Sequence, residues 1–207
     1  MKVLLINGST HEHGCTHAAL SIIAEELGAQ SVDSEIFWLG TGAVHSCLGC
    51  GYCRNAGKCI QNDDIVNVLG EKCGGADGFV FGSPVHYASP AGALVAALDR
   101  LFYSYGGSLK FKPAASIVSA RRAGTTAAYD VLNKYIGINC MLQVPSTYWN
   151  MVHGSKAEDV YKDEEGVTIM RAVASNMAWL LKLLSSAKGT PLEKPQVIKK
   201  AVTNFIR

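Results

Sequence analysis

The chain alternates short, wholly apolar runs with longer segments whose apolar positions recur every three to four residues. Val3–Ile6 is too short for a buried helix and reads as a strand covered on both faces. Ser34–Leu39 alternates and carries aromatics, as a second strand does, and Gly78–Gly82, Pro113–Ser119 and Met141–Tyr148 supply a third, fourth and fifth. Between them lie helical stripes. Ala18, Ala19, Leu20, Ile22 and Ile23 open the first, and Asn62-Asp63-Asp64 caps a second that continues through Ile65, Val66, Val68 and Leu69. Asp63 and Asp64 are read as capping groups complementing the helix dipole rather than as a catalytic carboxylate pair. Ala91–Phe102 follows Pro90 and small residues, a further helix spans about Thr126–Tyr135, and in Val167–Leu184 the residues Val167, Met170, Ala174, Met177, Leu181 and Leu184 share a face. Five strand–helix alternations predict an α/β fold whose parallel sheet is covered on both faces, with ligands outside the carboxyl ends of the strands.

The polar turns at those ends carry the candidate chemistry. After Val3–Ile6, Asn7-Gly8 breaks the strand and Ser9, Thr10, His11, Gly14, Cys15 and Thr16 form a small polar loop before a helix start. Free backbone N–H groups and the positive end of the dipole favour a phosphate there, and nearby hydroxyls can donate as well. The loop lacks the Lys-Ser/Thr of a nucleotide triphosphatase loop and the GxGxxG of the dinucleotide fold. A low-molecular-weight tyrosine phosphatase using Cys15 would need an Arg six residues on, where this chain has Ser21. Ser83–Pro90, Ala120–Thr126 and Trp149–Gly154 are turn-rich segments expected at the same edge. Gly40–Gln61 has no periodicity and is long for a connection, which marks it as functional.

The length of 207 residues suits one domain. Nineteen basic against seventeen acidic residues, without a basic run in the body of the chain, give no indication of nucleic-acid binding. No uninterrupted apolar run reaches membrane-spanning length, and the N-terminus lacks the pattern of a secretory signal, so a cytoplasmic protein is expected. The seven cysteines are an odd number, with four inside Cys47–Cys59, which favours metal or redox use over a disulfide framework. After Gly189-Thr190-Pro191, Val197, Ile198, Ala201, Val202, Phe205 and Ile206 lie opposite Lys199, Lys200 and Arg207, predicting an amphipathic tail helix that packs on this domain or on a sister subunit. The expected division is a domain over 1–187, including a cysteine loop at 40–61, and a tail over 188–207.

GSTHEHGCT, SPVHYASPAG and SARRAG, at the ends of three strands, resemble the flavodoxin-like NADPH-dependent FMN reductase superfamily. The resemblance implies a flavodoxin-like doubly wound five-stranded parallel sheet of order 2-1-3-4-5 and an FMN site. Ser9, His11, Gly14, Cys15 and Thr16 would hold the phosphate, Pro84, Val85, His86 and Tyr87 would line the isoalloxazine, and Ser119, Arg121, Arg122 and Gly124 would approach the ring or ribityl chain. Positive charge near the ring favours the anionic reduced flavin. Cys47-x2-Cys50-x2-Cys53-x5-Cys59 resembles the motif of iron–sulfur flavoproteins, which pair FMN with a [4Fe–4S] cluster. Structural zinc more often uses two separated Cys-x2-Cys pairs, whereas three cysteines at intervals of three and a nearby fourth can wrap one cubane; zinc and free thiols stay open as alternatives. Gly49, Gly51 and Gly57 are expected to let backbone N–H groups approach sulfur. The same resemblance implies an oxidoreductase that takes electrons from NAD(P)H or ferredoxin, passes them to a small acceptor such as a quinone or an oxygen species, and assembles as a homodimer or homotetramer. A reductase without iron and a non-enzymatic electron-transfer module are the alternatives.

Overall fold

The computed structural model describes residues 1–196, 198 and 201–203. Its elements run β1 (Lys2–Asn7), α1 (Cys15–Ala29), β2 (Asp33–Trp38), α2 (Cys53–Ala56), α3 (Val66–Gly74), β3 (Gly78–His86), β4 (Ser89–Pro90), α4 (Gly92–Leu109), β5 (Pro113–Ala120), α5 (Thr125–Ile138), β6 (Leu142–Gln143), β7 (Met151–His153), α6 (Ala157–Val160) and α7 (Glu164–Ser186). β1 pairs parallel with β2 and β3, and β3 pairs parallel with β5, so the first four predicted strands stand in the expected order and their carboxyl ends share one edge.

Alternate side chains along each strand reach opposite faces. Leu4, Ile6, Phe79 and Phe81 pack with Leu69, Leu94, Leu98 and Leu132 of α3, α4 and α5, while Val3, Leu5, Val80 and Ile117 pack with Leu20, Ile23, Met170 and Met177 of α1 and α7. Both faces are therefore dry, which is why the strands read as unbroken apolar runs. α7 is long and apolar enough by composition to cross a membrane. Its Ile169, Met170, Val173, Ala174, Met177, Ala178 and Leu181 are instead core residues, and Arg171 and Lys182 interrupt the apolar run.

The sheet has seven strands rather than five. Where one fifth strand was expected over Met141–Tyr148, two short strands each pair with β5: β6 beside Pro113 and Ala114, and β7 beside Val118–Ala120. The ladder breaks after Val144, which donates to Ala114 O at 2.8 Å, because the next acceptor on β5, Ser116 O, takes the side-chain amide of Asn150 at 3.1 Å instead of a backbone N–H. The chain leaves the sheet, turns at Ser146–Tyr148, and returns at Asn150, whose carbonyl accepts from Val118 N at 3.0 Å. The other addition is β4, which pairs antiparallel with the end of β3. Ser83–His86, expected as loop, thus continues the third strand and turns back on itself.

The amphipathic tail helix was placed largely on Val197, Lys199, Lys200, Phe205, Ile206 and Arg207, which lie outside the described residues; Ile198 and Val202 are exposed and in no helix.

Candidate functional site

A cavity of about 620 Å³ opens at the carboxyl ends of β1, β3 and β5, within the usual range for small-molecule sites. Ser9, His11, Gly14, Cys15 and Thr16 line it from the β1–α1 loop, Pro84 and Val85 from β3, and Ser119 and Arg121 from β5 and the turn after it. Thirteen residues were expected around a flavin, and these nine meet at one space.

Hydrogen bonds within the chain fix the β1–α1 loop. Ser9 N donates to Asn7 Oδ1 at 3.1 Å, Asn7 Nδ2 donates to Glu12 O at 3.0 Å, and His11 N donates to Ser9 Oγ at 3.1 Å. Trp38, at the end of the neighbouring strand, donates its indole N–H to Ser9 O at 2.8 Å. α1 then starts at Gly14 without a side-chain cap. Its first backbone N–H groups have no partner inside the helix, so the loop presents donors and the positive end of a dipole to the cavity. Thr16 is buried, and its hydroxyl lies 2.9 Å from that of Ser119, joining the first and third loops beneath the cavity. Cys15 donates its thiol to Gly154 O at 3.4 Å, and burial pushes its pKa up, which favours the protonated thiol over the thiolate.

The other four expected residues do not line the cavity. His86 pairs with Ser89 in the β3–β4 hairpin, and Tyr87 stands fully exposed at its tip with φ +64°. Arg122 is exposed beyond Arg121, and Gly124, with φ +91°, packs against Val85, where a Cβ would fall 2.9 Å from Cγ1. Conversely, Gly154, Ser155, Lys156, Ala157 and Glu158 close the side of the cavity next to Cys15. Gly154 ends the Trp149–Gly154 segment expected at this edge, whereas Ser155–Glu158 give no such signal in the sequence, and the resumption of the fifth strand at β7 brings them here. Glu12 and Glu158 are acidic, so the positive charge at the rim comes from Arg121, Lys156 and the α1 N-terminus.

A second cavity of about 160 Å³ lies in the 40–61 loop, and Cys47, Cys50, Cys53 and Cys59 all line it as free thiols. Gly49, Gly51 and Gly57 have φ of +63°, +74° and +67°, with open space where a Cβ would stand. The left-handed backbone, rather than the close approach expected from sequence, is what makes glycine suited to these turns. Among the described residues no group of three His, Cys, Asp or Glu side chains converges on a single metal ion.

Arg100 of α4 also lines this cavity, at 1% exposure, and no motif in the sequence marks it. It pairs with the carboxylate of Asp64, and donates to Cys59 Sγ at 3.2 Å, His45 O at 3.2 Å and Gln61 O at 2.9 Å. Burial works against the charge of both Arg100 and Asp64. Burial is the largest single influence on each, but their mutual hydrogen bond and attraction, together with the Val66 and His45 amides on Asp64 and the Cys59 contact of Arg100, outweigh it, so the Arg100 pKa is raised and that of Asp64 is held below the ordinary carboxylate value. Asp64 also accepts from Val66 N at 3.2 Å at the start of α3, but it stands one residue before the N-cap, Ile65, and α3 has no side-chain cap. Asn67 clamps the backbone of Cys59 from both sides: its Oδ1 accepts from Cys59 N and its Nδ2 donates to Cys59 O, each at 3.0 Å. Cys73 is buried, with its pKa pushed up to about 12, and belongs to the core.

A family model described as NADPH-dependent FMN reductase matches residues 1–156. The chain is similar to an iron–sulfur flavoprotein of Methanocaldococcus jannaschii, 28% identical over 196 residues that cover 89% of this chain and 99% of the relative. Among solved structures it is similar to RosB, determined with bound 8-demethyl-8-formylriboflavin-5′-phosphate, at a TM-score of 0.67 and 15% identity, covering 100% of this chain and 94% of that one. A flavodoxin from the domain Archaea superposes with a TM-score of 0.60 at 12% identity, over 88% of this chain and 99% of that one, which places the fold among the flavodoxin-like α/β proteins. The rim cavity and the family match together identify a flavin-dependent oxidoreductase, and the chain belongs to the NADPH-dependent FMN reductase family.

Proposed function

We propose that the protein binds FMN in the rim cavity and a [4Fe–4S] cluster in the cysteine loop, and passes electrons between a reduced donor, NAD(P)H or ferredoxin, and an acceptor such as a quinone or an oxygen species. The observation that carries this reading is the meeting of all four cysteines of the 47–59 motif at one cavity. One zinc ion would need thiolates about 3.8 Å apart, given Zn–S bonds of about 2.3 Å. Four thiols lining one cavity suit a cluster in which each thiolate takes its own iron. The similarity to an iron–sulfur flavoprotein over nearly the whole chain supports the same reading.

At the rim, the open α1 N-terminus and Ser9 hold the phosphate, Pro84 and Val85 form the wall against the ring, and Arg121 supplies positive charge. When bound, FMN supplies two-electron and one-electron chemistry, and the cluster supplies one-electron transfer. The chain's own groups position and tune the cofactors, and none is assigned proton transfer. We place the protein in the cytoplasm, as a homodimer or homotetramer, with one folded domain over 1–187.

Protein purified without oxygen should be yellow-brown, with flavin bands and broad absorbance near about 400 nm, and should contain about four irons and four sulfides per chain. Iron at background level would remove the cluster. The description of the family as NADPH-dependent FMN reductase favours, in that event, an iron-free NAD(P)H-dependent reductase, and steady-state NADPH oxidation with and without a quinone would identify it.

A further inference from the structure

Arg100 is the largest fully buried side chain among the described residues, and it is charged. An ion pair this deep is a weak source of stability, since an apolar pair of similar volume commonly serves a fold as well or better. Its placement serves the cysteine loop. His45 lies two residues before Cys47 and Gln61 two residues after Cys59, and the guanidinium donates to both carbonyls, so one planar fork joins the two ends of the loop. Its Nε–H is aimed at the sulfur of Cys59.

The four cysteines are consequently unequal. Cys59 is held at its amide and carbonyl by Asn67 and at its sulfur by Arg100. Cys47 accepts only a local bond from Gly49 N at 3.5 Å, and Cys50 is exposed. Tyr105 of α4 braces Asn67 in turn, its hydroxyl 3.3 Å from Asn67 Oδ1.

We propose that Arg100 is a positioning residue of the iron–sulfur centre, which fixes Cys59 as its anchored ligand and raises its reduction potential. This rests on reading the four thiols as a cluster site. Thiolate-bound clusters carry net negative charge, and reduction adds one more negative charge. A donor on sulfur therefore favours the reduced form, and although Asp64 balances the charge of Arg100 from Nη1, it is Nε–H of the guanidinium that faces the sulfur. Lysine would keep the charge but not the fork that spans His45 and Gln61.

The test uses anaerobically purified protein as wild type, R100K and the paired variant R100Q/D64N, which exchanges the ion pair for two neutral amides and leaves no unpaired buried charge. Iron and sulfide content, the midpoint from an EPR-monitored redox titration, and proteolysis within 45–61 of the iron-free protein are measured, with circular dichroism reporting the fold. The paired variant should have a midpoint shifted to more negative values, or fail to retain iron while folded. Its iron-free loop should be cut about tenfold faster than that of wild type, as expected when a local region loses its main ties. R100K should keep more of the midpoint while losing protection of the loop, so the proposal remains open to refutation even if the paired variant does not fold. Loaded variants with the wild-type midpoint and wild-type resistance to cleavage would overturn the role of Arg100 and leave the cluster standing. A wild-type protein without iron would overturn the cluster and, with it, this role.

Discussion

At the carboxyl rim of the sheet, strand ends and a helix N-terminus supply the cavity walls, and backbone ladders hold them: β1, β3 and β5 run in register, and Gly8 N donates to Gly82 O at 2.9 Å to carry the last rung into the loop. The cysteine loop has no ladder. Its one regular element is the four-residue α2, and it is tied down by Asp64, just before α3, by Asn67 of α3 and by Arg100 of α4. The rim is therefore rigid because the fold is rigid, whereas the loop is ordered only so far as a few polar contacts persist. Substitutions should separate the two regions cleanly.

The largest effect is expected from D64N. It leaves the Arg100 guanidinium buried without a counter-charge and should cost about 3–5 kcal/mol, read by denaturant unfolding. If flavin binding by the folded protein is unchanged, the two regions are independent. Next is C15D, which puts a carboxylate at the first position of α1, inside the rim cavity. The helix dipole tolerates it, so the fold should persist while FMN affinity falls about a hundredfold, or about 2.7 kcal/mol by fluorescence titration. Iron content should be untouched.

G70A probes the support of the loop from behind. A Cβ at this position of α3 would come within 2.1 Å of the Tyr105 ring, so the ring must leave Asn67. A loss of about 1–3 kcal/mol is expected, as for overpacking, with faster proteolysis in 45–61 and unchanged FMN binding. The smallest effect is that of pH. Because the Asp64 pKa is depressed in the folded protein, its contribution is complete above the ordinary carboxylate value of about 3.9 and fades as pH falls through the lower folded value. The gap between wild type and D64N should therefore be constant from about pH 5 to 7 and narrow in part on further acidification, in the same unfolding assay.

The same contrast explains what could be read from the sequence. Apolar runs such as Val3–Ile6 and Gly78–Gly82 announce strands buried on both faces, and polar residues at their ends mark the loops that meet at the rim. Met141–Tyr148 reads as one strand, but its ladder with β5 ends at Val144, because the side chain of Asn150, from beyond that segment, takes the next acceptor, Ser116 O. SPVHY placed four residues at the ring as one loop, but the strand runs on to His86 and carries Tyr87 into solvent. Arg100 was invisible for a different reason. A single arginine on a helix reads as a surface charge, and only the packing of α4 against the cysteine loop brings its partners, His45, Cys59, Gln61 and Asp64, within reach. Local pattern specifies the rim; distant contacts specify the loop.

Amide hydrogen exchange of the flavin-free protein with and without added FMN tests the rim site most directly. Slowed exchange should concentrate in 9–16, 83–85, 119–121 and 154–158, the four segments that line the larger cavity. Protection that leaves those segments unchanged and appears elsewhere, or no protection at saturating FMN, would contradict a flavin seat at the carboxyl ends of β1, β3 and β5.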